Sequence, residues 1–264
     1  MRFASLDSVS NEKIKQAVKL RESARYRREC GRFFLEGLRL CRDAAESEVH
    51  IFSLFFTEEA YEKYTRDIDL LSSKAESSFV ISPVCRDKLS DTKTSQGVFL
   101  ICGFLSVCHE AEIDLLGKYI ALENVQDPAN LGAVCRTAEA LGISGAVLCG
   151  CCDIYNPKAQ RAAMGSLLRL PVIMTQNLPA LLTDLKKRGM TVLSTTPDSS
   201  AEPITKVDMS GGVIAVIGNE GNGVTEQTQS VCRKITIPMK GRAESLNASM
   251  AAAVTMWEIL REET

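Results

Sequence analysis

The chain has 264 residues and a formal net charge of −2; 45% of its residues are hydrophobic and 24% are charged. This is the make-up of a globular protein in water, with apolar mass for one large or two small cores, and the near-neutral charge argues against a general nucleic-acid coat. No run reaches the length of a membrane span, and no N-terminal stretch has a signal peptide's charged, apolar and small-residue zones, so a cytoplasmic protein with no membrane partner is expected.

Residues 10–29 are expected to form one helix: Ser10 is a candidate N-cap, and Ile14, Ala17, Val18 and Leu20 recur at helical spacing. The stretch 12–42 carries ten Lys and Arg against four Glu, and Arg25, Arg27, Arg28, Arg32 and Arg39 are among them. Such a run is either a solvated helix face or a phosphate-gripping patch, and both readings stay open at this point. Phe33-Phe34-Leu35 is a short apolar run ending at Glu36-Gly37. A helix over 38–45, a strand over 50–57, a helix over 58–66, a strand over 78–82, a short helix over 84–89 and a strand over 96–105 follow. This alternation predicts a small α/β domain over residues 1–108. The polar break that follows supplies a linker, 109–117, before a second domain over 118–264.

The second domain alternates more regularly. Strands are expected over 119–123, 145–149, 171–175, 191–196, 213–217 and 234–238, and helices after Asp127-Pro128, over 156–166, 178–188 and 225–232, and from Ser245 onward. The strand runs are apolar without alternation, which predicts an α/β fold with a mostly parallel sheet covered by helices on both faces. Ten cysteines form no pair of CxxC motifs, and only His50 and His109 could assist them. Small buried thiols are therefore expected, with neither disulfides nor a metal site.

Ligands of parallel sheets sit beyond the carboxyl ends of the strands, so the strand-to-helix loops carry the chemistry. In ENVQDPANLGAVCRTAEALG, 123–142, Asp127 is an N-cap, Pro128 suits the first helical position and Gly142 is a C-cap. Leu131, Val134, Cys135, Ala138 and Leu141 make the buried stripe, which leaves Arg136 on a face with Ala129 and Gly132. In VIAVIGNEGNGVTE, 213–226, an apolar strand runs into Gly218-Asn219-Glu220-Gly221-Asn222-Gly223. Glycines permit close backbone approach, but no Lys follows to cradle a phosphate, and Glu220 would repel one. In IPMKGRAESLNAS, Ser245 is the candidate N-cap, and Leu246, Met250, Ala253, Val254, Trp257 and Leu260 give the last helix an amphipathic stripe. Asn247 and Ser249 are poor helix-interior residues whose polar groups need partners.

Together and in this order, the three loops resemble the motifs of the SPOUT superfamily, and most closely its SpoU/TrmH family of RNA ribose 2′-O-methyltransferases. The matching segments are Asn124 to Gly132 with Arg136, then Gly218 to Gly223, then Ile237-Pro238-Met239 with Glu244-Ser245-Leu246-Asn247. Arg32-Phe33-Phe34-Leu35-Glu36-Gly37 and the basic helix resemble the small RNA substrate-binding domain of rRNA-directed members. Val224 and Ala248 depart slightly from the family's usual residues. The resemblance implies a deep trefoil knot, a homodimer, and S-adenosylmethionine bound by backbone groups at Thr195, Gly218, Ile237 and Leu246, with Asn219, Gly221 and Met239 beside them. It implies Arg136 as the central catalytic residue, with Asn130, Glu220, Ser245 and Asn247 orienting it and the target hydroxyl. Arg25, Arg27, Arg28, Arg32 and Arg39 are then expected to grip RNA, with rRNA ahead of tRNA. A non-catalytic RNA-binding protein on the same fold and a nucleotide-dependent enzyme using the 218–223 loop are the alternatives.

Overall fold

The computed structural model describes residues 3–106 and 108–261, which pack as two compact units. The first unit runs to Ser106 and also takes Tyr155–Leu168; the second holds the remainder. The first opens with β1 (Ala4–Leu6), α1 (Glu12–Glu22) and α2 (Ala24–Cys30). The single helix expected over 10–29 is broken at Ser23, whose extended backbone ends α1 while its side chain accepts from Tyr26 N to start α2. Asn11, not Ser10, caps α1. Next come β2 (Arg32–Glu36), α3 (Leu38–Glu46), β3 (Ile51–Phe56), α4 (Glu58–Lys63), α5 (Thr65–Lys74), β4 (Ala75–Ile81), α6 (Pro83–Leu89) and β5 (Val98–Gly103). The helix expected over 58–66 is two helices meeting at Tyr64.

The sheet order is β1-β4-β3-β5-β2, with β4 parallel to β1 and β3, and β5 antiparallel to β3 and β2. Phe34, Phe55, Phe79 and Phe99 pack with Ile14, Ala17 and Val18 of α1. Arg27 is 2% exposed and donates to Leu20 O at 2.6 Å and Arg21 O at 3.0 Å. It ties α2 to the end of α1, so the expectation that it grips RNA is corrected: a buried guanidinium spent on backbone carbonyls has no face for phosphate. α8 (Pro157–Ala163) belongs to this unit too. Tyr155 stacks on Phe104 with centroids 4.0 Å apart and accepts from Leu105 N at 2.9 Å, while Arg161 pairs with Asp91 at 2.7 Å. A boundary read from one polar break misses this segment, because its partners lie far away in sequence.

The second unit contains β6 (Lys118–Glu123), α7 (Pro128–Leu141), β7 (Gly145–Cys149), β8 (Val172–Met174), α9 (Leu178–Lys187), β9 (Thr191–Thr195), β10 (Glu202–Pro203), β11 (Val213–Ile217), α10 (Glu226–Val231), β12 (Arg233–Thr236) and α11 (Ala248–Leu260). The pairings between its strands are all parallel, in the order β10-β12-β9-β11-β6-β7-β8. Every residue of β6 and β11 is buried, which is why these runs lack alternation. From β6 the chain steps outward through β7 and β8, then crosses to the other side for β9. That reversal opens a crevice beyond the carboxyl ends of β6, β11 and β9.

α11 corrects a further expectation. Leu246, just before it, and Met250, Val254 and Trp257 within it are exposed, Trp257 by 57%, whereas Ala252, Thr255, Met256 and Ile259 turn inward. α11 packs against α7, β11 and β6, burying small residues in its first two turns and Met256, Ile259 and Leu260 in its last, and leaves Met250, Val254 and Trp257 outward. No helix among the described residues is long and apolar enough to cross a membrane.

Candidate functional site

The first loop leaves β6 through Asn124, whose φ of 58° turns the chain sharply; Asn tolerates this left-handed conformation better than most residues. Asp127 then caps α7 by accepting from Ala129 N at 2.9 Å, Pro128 takes the first helical position, and Gly142 closes the helix at φ 82°, all as expected. In the second loop, Asn219 and Gly223 pair through their backbones at 3.0 and 2.9 Å. Asn219 Oδ1 accepts from Gly221 N at 2.9 Å and Asn222 N at 3.1 Å, and its Nδ2 donates to Asn124 O at 2.9 Å. This side chain organises the glycine loop and fastens it to the first.

The third loop departs from expectation. Helix α11 begins at Ala248, and Asn247 rather than Ser245 is its N-cap. Asn247 Oδ1 accepts from Ser249 N at 2.9 Å and Ser249 Oγ at 2.6 Å. Its Nδ2 donates to Asn130 Oδ1 at 3.1 Å, and Asn130 Nδ2 donates to Glu220 Oε1 at 3.0 Å. Each amide accepts with its oxygen and donates with its nitrogen, so the chain has one sense, ending on a carboxylate that can only accept. Partial burial pushes the Glu220 carboxyl up, but hydrogen bonds from Asn130, its own backbone, Asp127 and Gln126 outweigh this and hold it below its usual value. Glu220 is therefore ionised at neutral pH.

These loops wall a cavity of about 370 Å³. All seven residues expected to touch a cofactor, Thr195, Gly218, Asn219, Gly221, Ile237, Met239 and Leu246, line it, as do Glu220 and Ser245. Its lining holds one carboxylate and no Lys, Arg or His. Such a cavity disfavours a phosphate chain and suits a cationic ligand with an apolar body and polar edges.

Asn130 and Asn247 stand behind this lining, joined to it through Glu220. Arg136 does not line the cavity; it is exposed on α7 and about 9 Å along the axis from Asn130. In the first unit, Arg25 pairs with Glu29 at 2.7 Å, Arg32 lies 3.6 Å over the Phe52 ring, and Arg28 and Arg39 are exposed. Burial pushes the Cys135 and Cys151 thiols up to about 12 and Cys152 to about 11, which disfavours the reactive thiolate at neutral pH. Among the described residues, no group of three or more His, Cys, Asp and Glu is placed to hold a metal ion.

Sequence reasoning missed Glu123. It closes β6 with 4% exposure and accepts from Thr225 N, Thr225 Oγ1 and Thr228 Oγ1. The available signal was an acidic residue ending an otherwise apolar buried strand. Thr196, Pro197, Val224 and Gln229 also line the cavity unforeseen.

The chain matches the model of the SpoU rRNA Methylase family over residues 117–257 and that of an MRM3-like substrate binding domain over residues 11–100. It is 30% identical to the 23S rRNA (guanosine(2553)-2′-O)-methyltransferase RlmP of Bacillus subtilis, over 96% of this chain and 98% of that one. It is 35% identical to the 23S rRNA (guanosine-2′-O-)-methyltransferase RlmB of Acinetobacter baylyi, over 67% and 75% of the respective chains. An AdoMet-bound rRNA methyltransferase from Sinorhizobium meliloti shares the fold with a TM-score of 0.87 at 24% identity, covering both chains fully. The SpoU methyltransferase AviRb from Streptomyces viridochromogenes, in complex with AdoMet, has a TM-score of 0.85 at 23% identity, over 96% of this chain and 98% of that one.

Proposed function

Because the chain belongs to the SpoU rRNA methylase family, we propose that it is an S-adenosylmethionine-dependent methyltransferase acting on a ribose 2′-hydroxyl of rRNA, in the cytoplasm. The observation that carries this reading is the cavity lined by one ionised carboxylate and no cation. S-adenosylmethionine, when bound, supplies an activated methyl group on a sulfonium. Backbone groups at Thr195, Gly218, Ile237 and Leu246 would hold its adenosyl and methionyl parts, and Glu220 favours its positive charge. Asn130 and, through it, Asn247 hold Glu220 in place by hydrogen bonds, and Ser245 orients the target hydroxyl; a fixed in-line geometry can contribute roughly 7–11 kcal/mol in the best cases. Arg136 clamps the neighbouring phosphate and stabilises negative charge building on the hydroxyl oxygen, while the proton passes to solvent, since a guanidinium that is always protonated cannot take it.

Calorimetric titration should show binding of S-adenosylmethionine and none of ATP. Label from the methyl donor should enter unmodified rRNA as a 2′-O-methyl nucleotide. Binding of ATP, or no binding of the methyl donor, ends the enzymatic reading; transfer confined to tRNA overturns the substrate.

A homodimer belongs to this reading. Met250, Val254 and Trp257 put an apolar face in water on the side of α11 away from α7, and a second copy is the partner that the family resemblance supplies. Trp257→Glu is expected to leave single chains in sedimentation runs where the wild type sediments as a pair. A wild type that stays at the mass of one chain removes the dimer. The return of α11 from β12 across β11 and β6 also supports the family's trefoil knot, which threading analysis of an experimental Cα trace tests.

Residues of the first unit supply RNA affinity in this reading, through Arg25, Arg28, Arg32 and Arg39. Deleting residues 1–108 is a poor test, because Tyr155 and Arg161 would lose Phe104 and Asp91. Reversing Arg28 and Arg39 together to Glu should weaken RNA binding and lower the salt slope by about 1 for each phosphate no longer gripped, with methyl-donor affinity unchanged. An unchanged slope assigns those arginines elsewhere.

A further inference from the structure

We propose that Glu123 is a positioning residue for the methyl-donor cavity, its buried carboxylate clamping the far end of the glycine loop onto the end of β6. This rests on the function proposed above. Glu123 Oε2 accepts from Thr225 N at 2.8 Å, and Oε1 accepts from Thr225 Oγ1 at 2.9 Å and Thr228 Oγ1 at 2.5 Å. No Lys or Arg pairs with this carboxylate among the described residues, and it is 4% exposed. Burying an unpaired charge is costly, and here three converging neutral donors compensate it.

The placement gives the clamp its purpose. Residues 217 to 224 all line the cavity. Their near end is fastened by Asn219 Nδ2 to the carbonyl of Asn124. Their far end runs into Thr225, which Glu123 holds, and Gln229 Nε2 fixes the Val224 carbonyl at 2.8 Å. Two consecutive residues at the tip of a fully buried central strand therefore anchor both ends of the loop. A glycine-rich segment has high conformational freedom when loose, so external anchors must supply its order. A carboxylate accepts from all three donors at once; an amide with its oxygen toward Thr225 N would present N–H to the two hydroxyls, which must turn to accept, and the charge assistance is lost.

The test compares Glu123→Gln, Thr228→Val and Thr228→Ser with wild type, reading methyl-donor affinity by calorimetry and hydrogen exchange of the 218–224 amides in the free protein. Glu123→Gln should weaken the methyl donor at least about tenfold, as expected for a lost hydrogen bond to a charged group. Thr228→Val should weaken it by about threefold or more, and Thr228→Ser, which keeps the hydroxyl, should restore wild-type affinity. Loop exchange should accelerate in the first two variants while RNA affinity holds. If Glu123→Gln does not fold, the Thr228 pair decides. Methyl-donor affinity and loop exchange at wild-type levels in Thr228→Val, with only thermal stability reduced, would overturn the clamp. A wild type that binds no methyl donor would instead overturn the function on which the clamp rests.

Discussion

Arg136→Ala is expected to cut methyl transfer by at least about a thousandfold while leaving methyl-donor affinity within about twofold of wild type, as for removal of a charge-stabilising donor. Arg136 is exposed on α7 and absent from the cavity wall, so its loss leaves the wall intact. Arg136→Lys should recover little, because a point charge does not reproduce a planar fork on phosphate. Turnover retained in Arg136→Ala would remove this residue from the chemistry.

Gly218→Ala is expected to lower methyl-donor affinity by at least about a hundredfold, with overpacking costing about 1–3 kcal/mol of stability. An added Cβ would lie 2.1 Å from Gly223 C and 2.2 Å from Val224 N. Those are backbone atoms, so the loop must open, and the Asn219–Gly223 pairing goes with it. Gly221→Ala is the control: its nearest atom would be Asn219 Oδ1 at 3.6 Å, an ordinary van der Waals distance, so binding should persist. Calorimetry on both variants checks the contrast, and equal behaviour at the two positions would show that the crowding at 218 is not what matters.

The two variants can be combined. If Arg136 serves the opposite cavity, dimers of Arg136→Ala with Gly218→Ala hold one complete site, and random reassociation should restore about a quarter of wild-type turnover. If each chain uses its own Arg136, the mixture stays inactive.

Much of the site was legible because its signals are local. Asp127 followed by Pro128 marks a helix start, Gly142 marks its end, and a glycine cluster after an apolar run marks a loop that lets a ligand approach the backbone. Motif order then brought seven expected cofactor residues onto one wall. Where two local rules competed, the sequence was ambiguous. Ser245 and Asn247 both qualify as caps, and the contest went to Asn247 because its amide also reaches Asn130, 117 residues away in the chain. Arg27 and Arg28 are neighbours of identical type; one is buried against backbone carbonyls and the other exposed.

By itself the sequence determined the alternation of elements, the sheet class and the identity of the three loops, since periodicity and turn chemistry act over a few residues. Tertiary structure decided which polar groups meet and which apolar faces stay open. Glu123 found its partners at Thr225 and Thr228 because strand order sets β11 beside β6, and residues 155–168 joined the first unit because Phe33 and Phe104 receive Tyr155. Met250, Val254 and Trp257 of α11 stay outward because the helix's opposite face, with Ala252, Met256 and Ile259, is the one buried where the helix packs on α7, β11 and β6. Such choices depend on partners far apart in sequence, and only the folded chain brings them together.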